Sequence, residues 1–271
     1  MARIRRGVLV NNMLHPEWAG LRFGQFTHPG CVRPANQDAI WSFYSAARGA
    51  VVRPDFGLFI VSDGAGGHLD GERASALAVR TLALHVLDSF YTAVLAGDAQ
   101  SVTITETLVQ GMEHANAAVI EGTHGGGATL TAAAVVGCRV FIAHAGDTRA
   151  YIVDEHGLEQ LTRDHSLTQR LVEIAHLTPG EAAAHPQRSR LYRALGQQDR
   201  IDVDIVMRRL PAGARLLLCS DGLWDTVDAA ELHRVVAETP DPKAASRALV
   251  EAAEAAGAPD NVSAIVVHLP V

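Results

Sequence analysis

The chain has 271 residues, enough for one large domain with its own core, and 48% hydrophobic, 20% charged and 5% aromatic residues describe a folded rather than a disordered protein. Lys+Arg 23 against Asp+Glu 30 gives a formal charge of −7, a field that repels nucleic acid and anionic membrane, so a phosphate-bearing substrate would need a local positive centre. Cys31, Cys138 and Cys219 are odd in number and lack CxxC spacing, the pattern of reduced cysteines rather than of a disulfide framework or zinc knuckle.

The basic N-terminus carries one apolar run, Gly7 to Val10, too short for a signal or a spanning helix, and no later segment reaches membrane length without a charge or turn. The expectation is a cytoplasmic protein with an N-terminal extension over residues 1–20 and a single domain over 21–271. Phe56 to Val61 reads as a strand. Leu69 to Tyr91 reads as a helix, apolar over most of its circumference, which predicts deep burial. A second helix over Thr103 to Ile120 carries Ile104, Leu108, Met112, Ala115 and Val119 in one stripe behind a Thr103/Glu106 capping box. The first of the two should be the more buried.

Thr129 to Val136 and Val140 to Ala145 read as strands joined tightly by Gly137-Cys138, an antiparallel hairpin, with Ala150 to Val153 next. Residues 166–190 hold Thr178-Pro179-Gly180-Glu181 and His185-Pro186 among polar neighbours, which fits either a flap or a helical insertion. Arg215 to Cys219 is a further strand. Asp228 with Glu231 opens a helix, Asp241-Pro242 opens another that Gly257 should close, and Val262 to Val267 is the last strand. Strands in runs and helices in pairs predict antiparallel sheet with helical layers outside, not a doubly wound parallel fold.

The chemistry stands where these strands meet their turns. Val61-Ser62 delivers Asp63-Gly64, Cys219-Ser220 delivers Asp221-Gly222, His144-Ala145 delivers Gly146-Asp147, and Asp260-Asn261 precedes the last strand. Brought to a common rim, these carboxylates repel unless a cation lies among them, and hard oxygen ligands suit Mg2+ or Mn2+. Gly64 would let a backbone carbonyl approach that cation closely. His124-Gly125-Gly126-Gly127 imitates a hydrolase oxyanion loop, but no GxSxG elbow accompanies it, and Gly64-Ala65-Gly66-Gly67 lacks the Lys-Ser/Thr of a nucleotide-binding loop.

The ordered series Thr27 to Asp38, Val61-Ser62-Asp63-Gly64-Ala65-Gly66-Gly67-His68, Gly127-Ala128-Thr129-Leu130, Gly146-Asp147-Thr148-Arg149-Ala150-Tyr151, Leu161-Thr162-Arg163-Asp164-His165-Ser166, Ser220-Asp221-Gly222-Leu223-Trp224-Asp225 and Asp260-Asn261-Val262-Ser263 resembles the metal-dependent (PPM, type 2C) protein serine/threonine phosphatases, in their compact bacterial form. The resemblance implies an α+β fold, a four-layer α-β-β-α sandwich of two central antiparallel sheets flanked by helix pairs. It also implies hydrolysis of phosphoserine and phosphothreonine by a metal-activated water at a dinuclear Mn2+ or Mg2+ centre. By the same resemblance Asp63 bridges two ions, the Gly64 carbonyl serves the second, Asp221 and Asp260 complete the first, and Asp38 holds a water. Asp147 matches the ligand of a third ion, Arg33 the arginine that grips the substrate phosphate, and Asn261 and Thr148 supporting residues.

Two positions depart from the family pattern. Gln37 stands where many members carry a glutamate, which implies a weaker second metal and catalysis needing abundant metal. Ala65 stands where some carry a histidine acid, leaving His68 or water to protonate the leaving oxygen. Asp147 has a plainer reading as a turn carboxylate paired with Arg149. The implied partners are phosphorylated proteins, substrates of a serine/threonine kinase. A catalytically weak, phosphoprotein-binding regulatory module is the rival reading, which intact Asp63, Asp221 and Asp260 argue against.

Overall fold

The computed structural model describes residues 20–46, 55–66, 68–97 and 103–269, so most of the expected N-terminal extension lies outside the described residues. In chain order, β1 (Arg22–His28), β2 (Asp38–Ser45) and β3 (Phe56–Ala65) lead to α1 (His68–Val86), a π-turn (Leu87–Tyr91) and α2 (Thr92–Ala96). After α3 (Ile104–Gly122) come β4 (Gly127–Ala128), β5 (Leu130–Val136), β6 (Arg139–Ala145), β7 (Arg149–Asp154) and β8 (Gly157–Gln160). Two short helices, α4 (Leu167–Glu173) and α5 (Pro179–Ala183), precede β9 (Asp204–Arg209) and β10 (Arg215–Cys219). The chain then forms α6 (Asp221–Trp224), α7 (Ala229–Glu238), α8 (Pro242–Ala255) and β11 (Val262–His268).

The strands form two antiparallel sheets, β1-β11-β10-β7-β8 and β2-β3-β5-β6-β9, with β4 added to β3. Alternation along each strand decides what lies on each face. On β3, Leu58 and Ile60 pack with Leu82, Leu108 and Met112 of α1 and α3, whereas Phe59 and Val61 meet Ile152, Leu216, Leu218 and Ile265 of the other sheet. The far face of that other sheet, with Tyr151, Leu217 and Val266, is covered by Leu232, Val236, Leu249 and Val250 of α7 and α8. The result is the expected helix–sheet–sheet–helix sandwich.

The punctuation works as read. Thr103, Asp228 and Asp241 each accept the backbone N–H three residues on, Val136 pairs with Arg139 across the hairpin, and Gly257 takes a left-handed φ of +102° just past α8. Two expectations need correction. Helix α1 is not buried all round: it lies on one sheet face and leaves Leu84 57% exposed. Five strands went unforeseen: the two-residue β4, and β1, β2, β8 and β9, which are the four sheet edges. Edge strands are diluted with polar residues, as in Arg22–His28 and Asp38–Ser45, and so lack the apolar runs of central strands. Among the described residues no helix is long and apolar enough to cross a membrane.

Candidate active site

The antiparallel register of β2 and β3 places Asp38 directly opposite Asp63. Asp63 lies inside β3 rather than after its end, because the strand runs on through Gly64 and Ala65 to pair with β4. Its backbone is pinned by Thr129, whose Oγ1 accepts the Asp63 N–H at 2.9 Å and whose own N–H donates to the Asp63 carbonyl at 2.8 Å. Gly64 donates its N–H to the Gln37 carbonyl at 3.1 Å, and a Cβ there would come within 2.1 Å of the Gly71 carbonyl. No residue but glycine fits where α1 crosses so closely.

The second sheet contributes Asp221, which begins α6 at the end of β10, and Asp260, which precedes β11. Asn261 ties this edge to the Arg33 loop: its Oδ1 accepts the Gln37 N–H at 2.8 Å and its Nδ2 donates to the carbonyls of Pro29 and Ala35. Asp147 sits in the turn from β6 to β7, buried, with its carbonyl accepting Trp224 Nε1–H at 3.0 Å. His68 is the first residue of α1. Thr148 faces inward, its hydroxyl 2.6 Å from that of Thr131.

The carboxylates are electrostatically one group. Burial, then the charges of Asp221, Asp38, Asp147 and Asp260, pushes Asp63 well above the usual carboxylate range. Burial and Asp147, Asp260 and Asp38 do the same to Asp221. Asp147 is pushed up to about 7 by burial and then Asp164. Asp38 is pushed up to about 6 by burial, against the hydroxyls of Ser263 and Ser220, which donate to its Oδ2 at 2.6 and 2.7 Å. Its Oδ1 is buried without a hydrogen-bond partner.

These residues fit divalent cations in their chemistry. The donors are all hard oxygens, their mutual repulsion calls for positive charge, and one of their buried carboxylate oxygens, Asp38 Oδ1, is left unsatisfied. Among the described residues, though, no three of them stand already gathered as a finished metal site. One reason is visible at Asp260, which is held in a two-pronged ion pair by Arg33, Nε to Oδ1 2.9 Å and Nη2 to Oδ2 2.7 Å.

A cleft of about 600 Å3 opens beside this group, bounded by Arg33, Asp147, Asp221 and Asp260. Ser166, Thr168, Gln169, Arg188 and Ser189 also line it, so the segment over 166–190, which contains both α4 and α5, is a helical insertion that borders the cleft. Arg188 reaches across to Asp225 at 2.8 Å. Arg149 does not pair with Asp147 as the plainer reading had it: its fork takes Asp164 at 2.9 and 2.6 Å while its guanidinium lies 3.4 Å from the Trp224 ring centroid. Reading the sequence missed Arg149, Asp164, Trp224 and the two serines that hold Asp38. Their signal was position alone, since Ser220 adjoins Asp221 and Ser263 lies two residues past Asn261.

Comparison with known proteins agrees with this fold. The sequence matches the family described as Protein phosphatase 2C over residues 35–254. It is 35% identical over 249 residues to the serine/threonine protein phosphatase PstP of Mycobacterium tuberculosis, an alignment covering 91% of this chain and 44% of PstP. The chain therefore spans less than half the length of that relative. It is 31% identical over 248 residues to the protein phosphatase PhpP of Streptococcus pneumoniae, covering 90% of this chain and 95% of PhpP. The crystal structure of the PstP catalytic domain in complex with two manganese ions superposes with a TM-score of 0.76 at 30% identity, covering 93% of this chain and 99% of that one. On fold, motif order and sequence, this chain belongs to the protein phosphatase 2C family.

Proposed function

We propose that this chain is a protein serine/threonine phosphatase that hydrolyses phosphoserine and phosphothreonine with Mn2+ or Mg2+. The observation that carries the reading is the mutually repelling group of Asp38, Asp63, Asp147, Asp221 and Asp260 beside Arg33 at the edge of an open cleft. The phosphatase relatives and the two manganese ions in the PstP structure support it.

In this reading Asp63, the Gly64 carbonyl, Asp221 and Asp260 hold two core ions, and Asp147 with Asp221 holds a third. When bound, the ions supply Lewis-acid charge and lower the pKa of water in the site. Arg33, always protonated and forked, exchanges Asp260 for two phosphoryl oxygens, which orients phosphorus and offsets its charge. Asp38, fixed through Oδ2 by two serines, keeps Oδ1 for a hydrogen bond from the attacking water. His68 and water are the candidates for protonating the leaving oxygen. The substrates are then phosphoproteins made by a serine/threonine kinase, and three cysteines without a disulfide fit a cytoplasmic setting.

The test is phosphate release from p-nitrophenyl phosphate and from a phosphothreonine peptide, with Mn2+ and with EDTA, using Asp63→Asn as control. Turnover that requires Mn2+ and is lost in the variant is expected. Equal turnover by the variant overturns the mechanism, and peptide binding without turnover by the wild type returns the regulatory-module reading.

A further inference from the structure

Beneath the carboxylate group lie two histidines that the mechanism above does not use. His144 on β6 and His165 after β8 are both buried, His165 only 1% exposed, and their rings stack with centroids 4.8 Å apart at 29°. Between them and the cleft runs the turn Gly146-Asp147-Thr148.

The hydrogen bonds fix the tautomer of each ring. His165 Nδ1 accepts the Gly146 N–H at 3.0 Å, so it carries no proton and the proton sits on Nε2, which faces Asp204 Oδ2 at 3.2 Å. Arg193 Nη1, 2.9 Å from the same Nε2, donates instead to Asp204 Oδ1 at 2.7 Å. The His165 backbone N–H donates to the Gly146 carbonyl at 2.7 Å, so Gly146 is gripped at both its polar atoms by one residue. On the other ring, Nε2 of His144 stands 3.0 Å from the Arg163 carbonyl and must be the donor. Its Nδ1 therefore takes the Thr131 hydroxyl proton at 2.8 Å in competition with the Thr148 carbonyl, 3.0 Å from the same hydroxyl, and Thr131 Oγ1 accepts from the Thr148 hydroxyl at 2.6 Å. Burial holds both rings neutral, with His144 pushed down to about 3.

We propose that His144 and His165 are a positioning pair that clamps the residues on either side of Asp147, and so sets where its carboxylate stands beside Asp221. This rests on the phosphatase reading, in which Asp147 with Asp221 holds the third ion. His165 fixes Gly146, His144 fixes Thr148 through Thr131, and Trp224 fixes the intervening carbonyl. Gly146 has no slack of its own: its φ is +116° and a Cβ would come within 2.5 Å of Thr129, the residue that pins Asp63. The clamp thus joins Asp147 to Asp63 through Thr129 and through the neighbouring Thr131.

Two variants of similar size separate clamping from mere packing. Asparagine at 165 places its amide oxygen at the branch position of Nδ1 and can still accept the Gly146 N–H. Glutamine reaches only toward the Nε2 position and keeps the Asp204 contact instead. The expected result is that His165→Gln raises the Mn2+ concentration for half-maximal activity at least about fivefold and weakens the last Mn2+ bound in calorimetry. His165→Asn stays within about twofold of wild type in both. Asp147→Asn reproduces the His165→Gln effect, and the double variant is no worse than either.

Equal metal dependence for the Asn and Gln variants, or additive effects in the double variant, overturns the clamp. The tautomers give a readout independent of activity: long-range 1H–15N spectra show both rings neutral with bare Nδ1, and a protonated Nδ1 on either ring also overturns it. If the wild type fails to hydrolyse phosphopeptide, the phosphatase reading falls while calorimetry and spectra still judge the clamp. If it turns over and His165→Gln binds Mn2+ normally, the clamp falls alone.

Discussion

Arg33 lays its guanidinium fork across both oxygens of Asp260, so the residue expected to grip phosphate and a residue expected to hold metal satisfy one another. Each must give up this contact to work. The pair is half-exposed, 53% and 36%, and pairs of that kind contribute about 0.2–1 kcal/mol, so a cation easily competes for Asp260.

Replacing Arg33 should therefore have two opposite effects. In Arg33→Ala the KM for a phosphothreonine peptide rises about tenfold or more at saturating Mn2+, with kcat changed less, because a phosphate contact is lost and not the nucleophile. Mn2+ affinity rises, but by no more than about fivefold, the equivalent of 1 kcal/mol. Steady-state kinetics and calorimetry check the two; an unchanged KM removes the phosphate assignment, and weaker Mn2+ binding removes the competition.

The central strands, the capped helices and the four-layer order were legible in the sequence because buried strands and amphipathic helices must carry continuous or periodic apolar residues, as Phe56 to Val61 and Ile104 to Val119 do. The edges β1 and β2 were not, because a strand with one free side tolerates the polar residues of Arg22–His28 and Asp38–Ser45. Asp63, Asp221 and Asp260 could be read because acidic residues beside strands are rare enough to be informative as a set. Ser220 and Ser263 could not, since their function exists only once two strands from one sheet bring hydroxyls to a carboxylate on the other. The Arg33–Asp260 pair spans 227 positions, and nothing local announces it.

Gln37 is braced by its backbone, with its N–H on Asn261 and its carbonyl accepting from Gly64 N–H and Ser75 Oγ at 2.6 Å. Its side chain lies against Gly71, where a Cβ would meet Nε2 at 2.4 Å. A glutamate here would occupy the same volume and add a negative charge beside Gly64. Gln37→Glu should lower the Mn2+ concentration for half-maximal activity several-fold, and lower the melting temperature in EDTA by adding to the repulsion among the aspartates. An activity titration and a thermal scan test this; a higher Mn2+ requirement would show that position 37 does not serve the metal.

The raised carboxylates also fix how the metal-free protein responds to pH. Asp38 and Asp147 are pushed up to about 6 and 7 from an ordinary 3.8, so between those values the folded chain holds protons that the unfolded chain has released. Folding stability from these groups is full below about pH 4 and is lost as pH rises through the folded values. Buried His144, pushed down to about 3, acts in the opposite sense: its contribution is present above the ordinary histidine range and is lost as pH falls. Total stability therefore mixes the two, and a single variant separates them. Asp147→Asn removes one titrating carboxylate and leaves the histidines, so in EDTA its melting temperature should match the wild type near pH 4 and exceed it above pH 8 by about 4–8 °C, the equivalent of about 2 kcal/mol. Saturating Mn2+ should reverse the order at pH 8, because the ionised wild-type carboxylate then gains a partner that the amide cannot replace. A difference in EDTA that is constant across pH would mean that Asp147 is ionised in the folded, metal-free chain and carries none of the repulsion assigned to it.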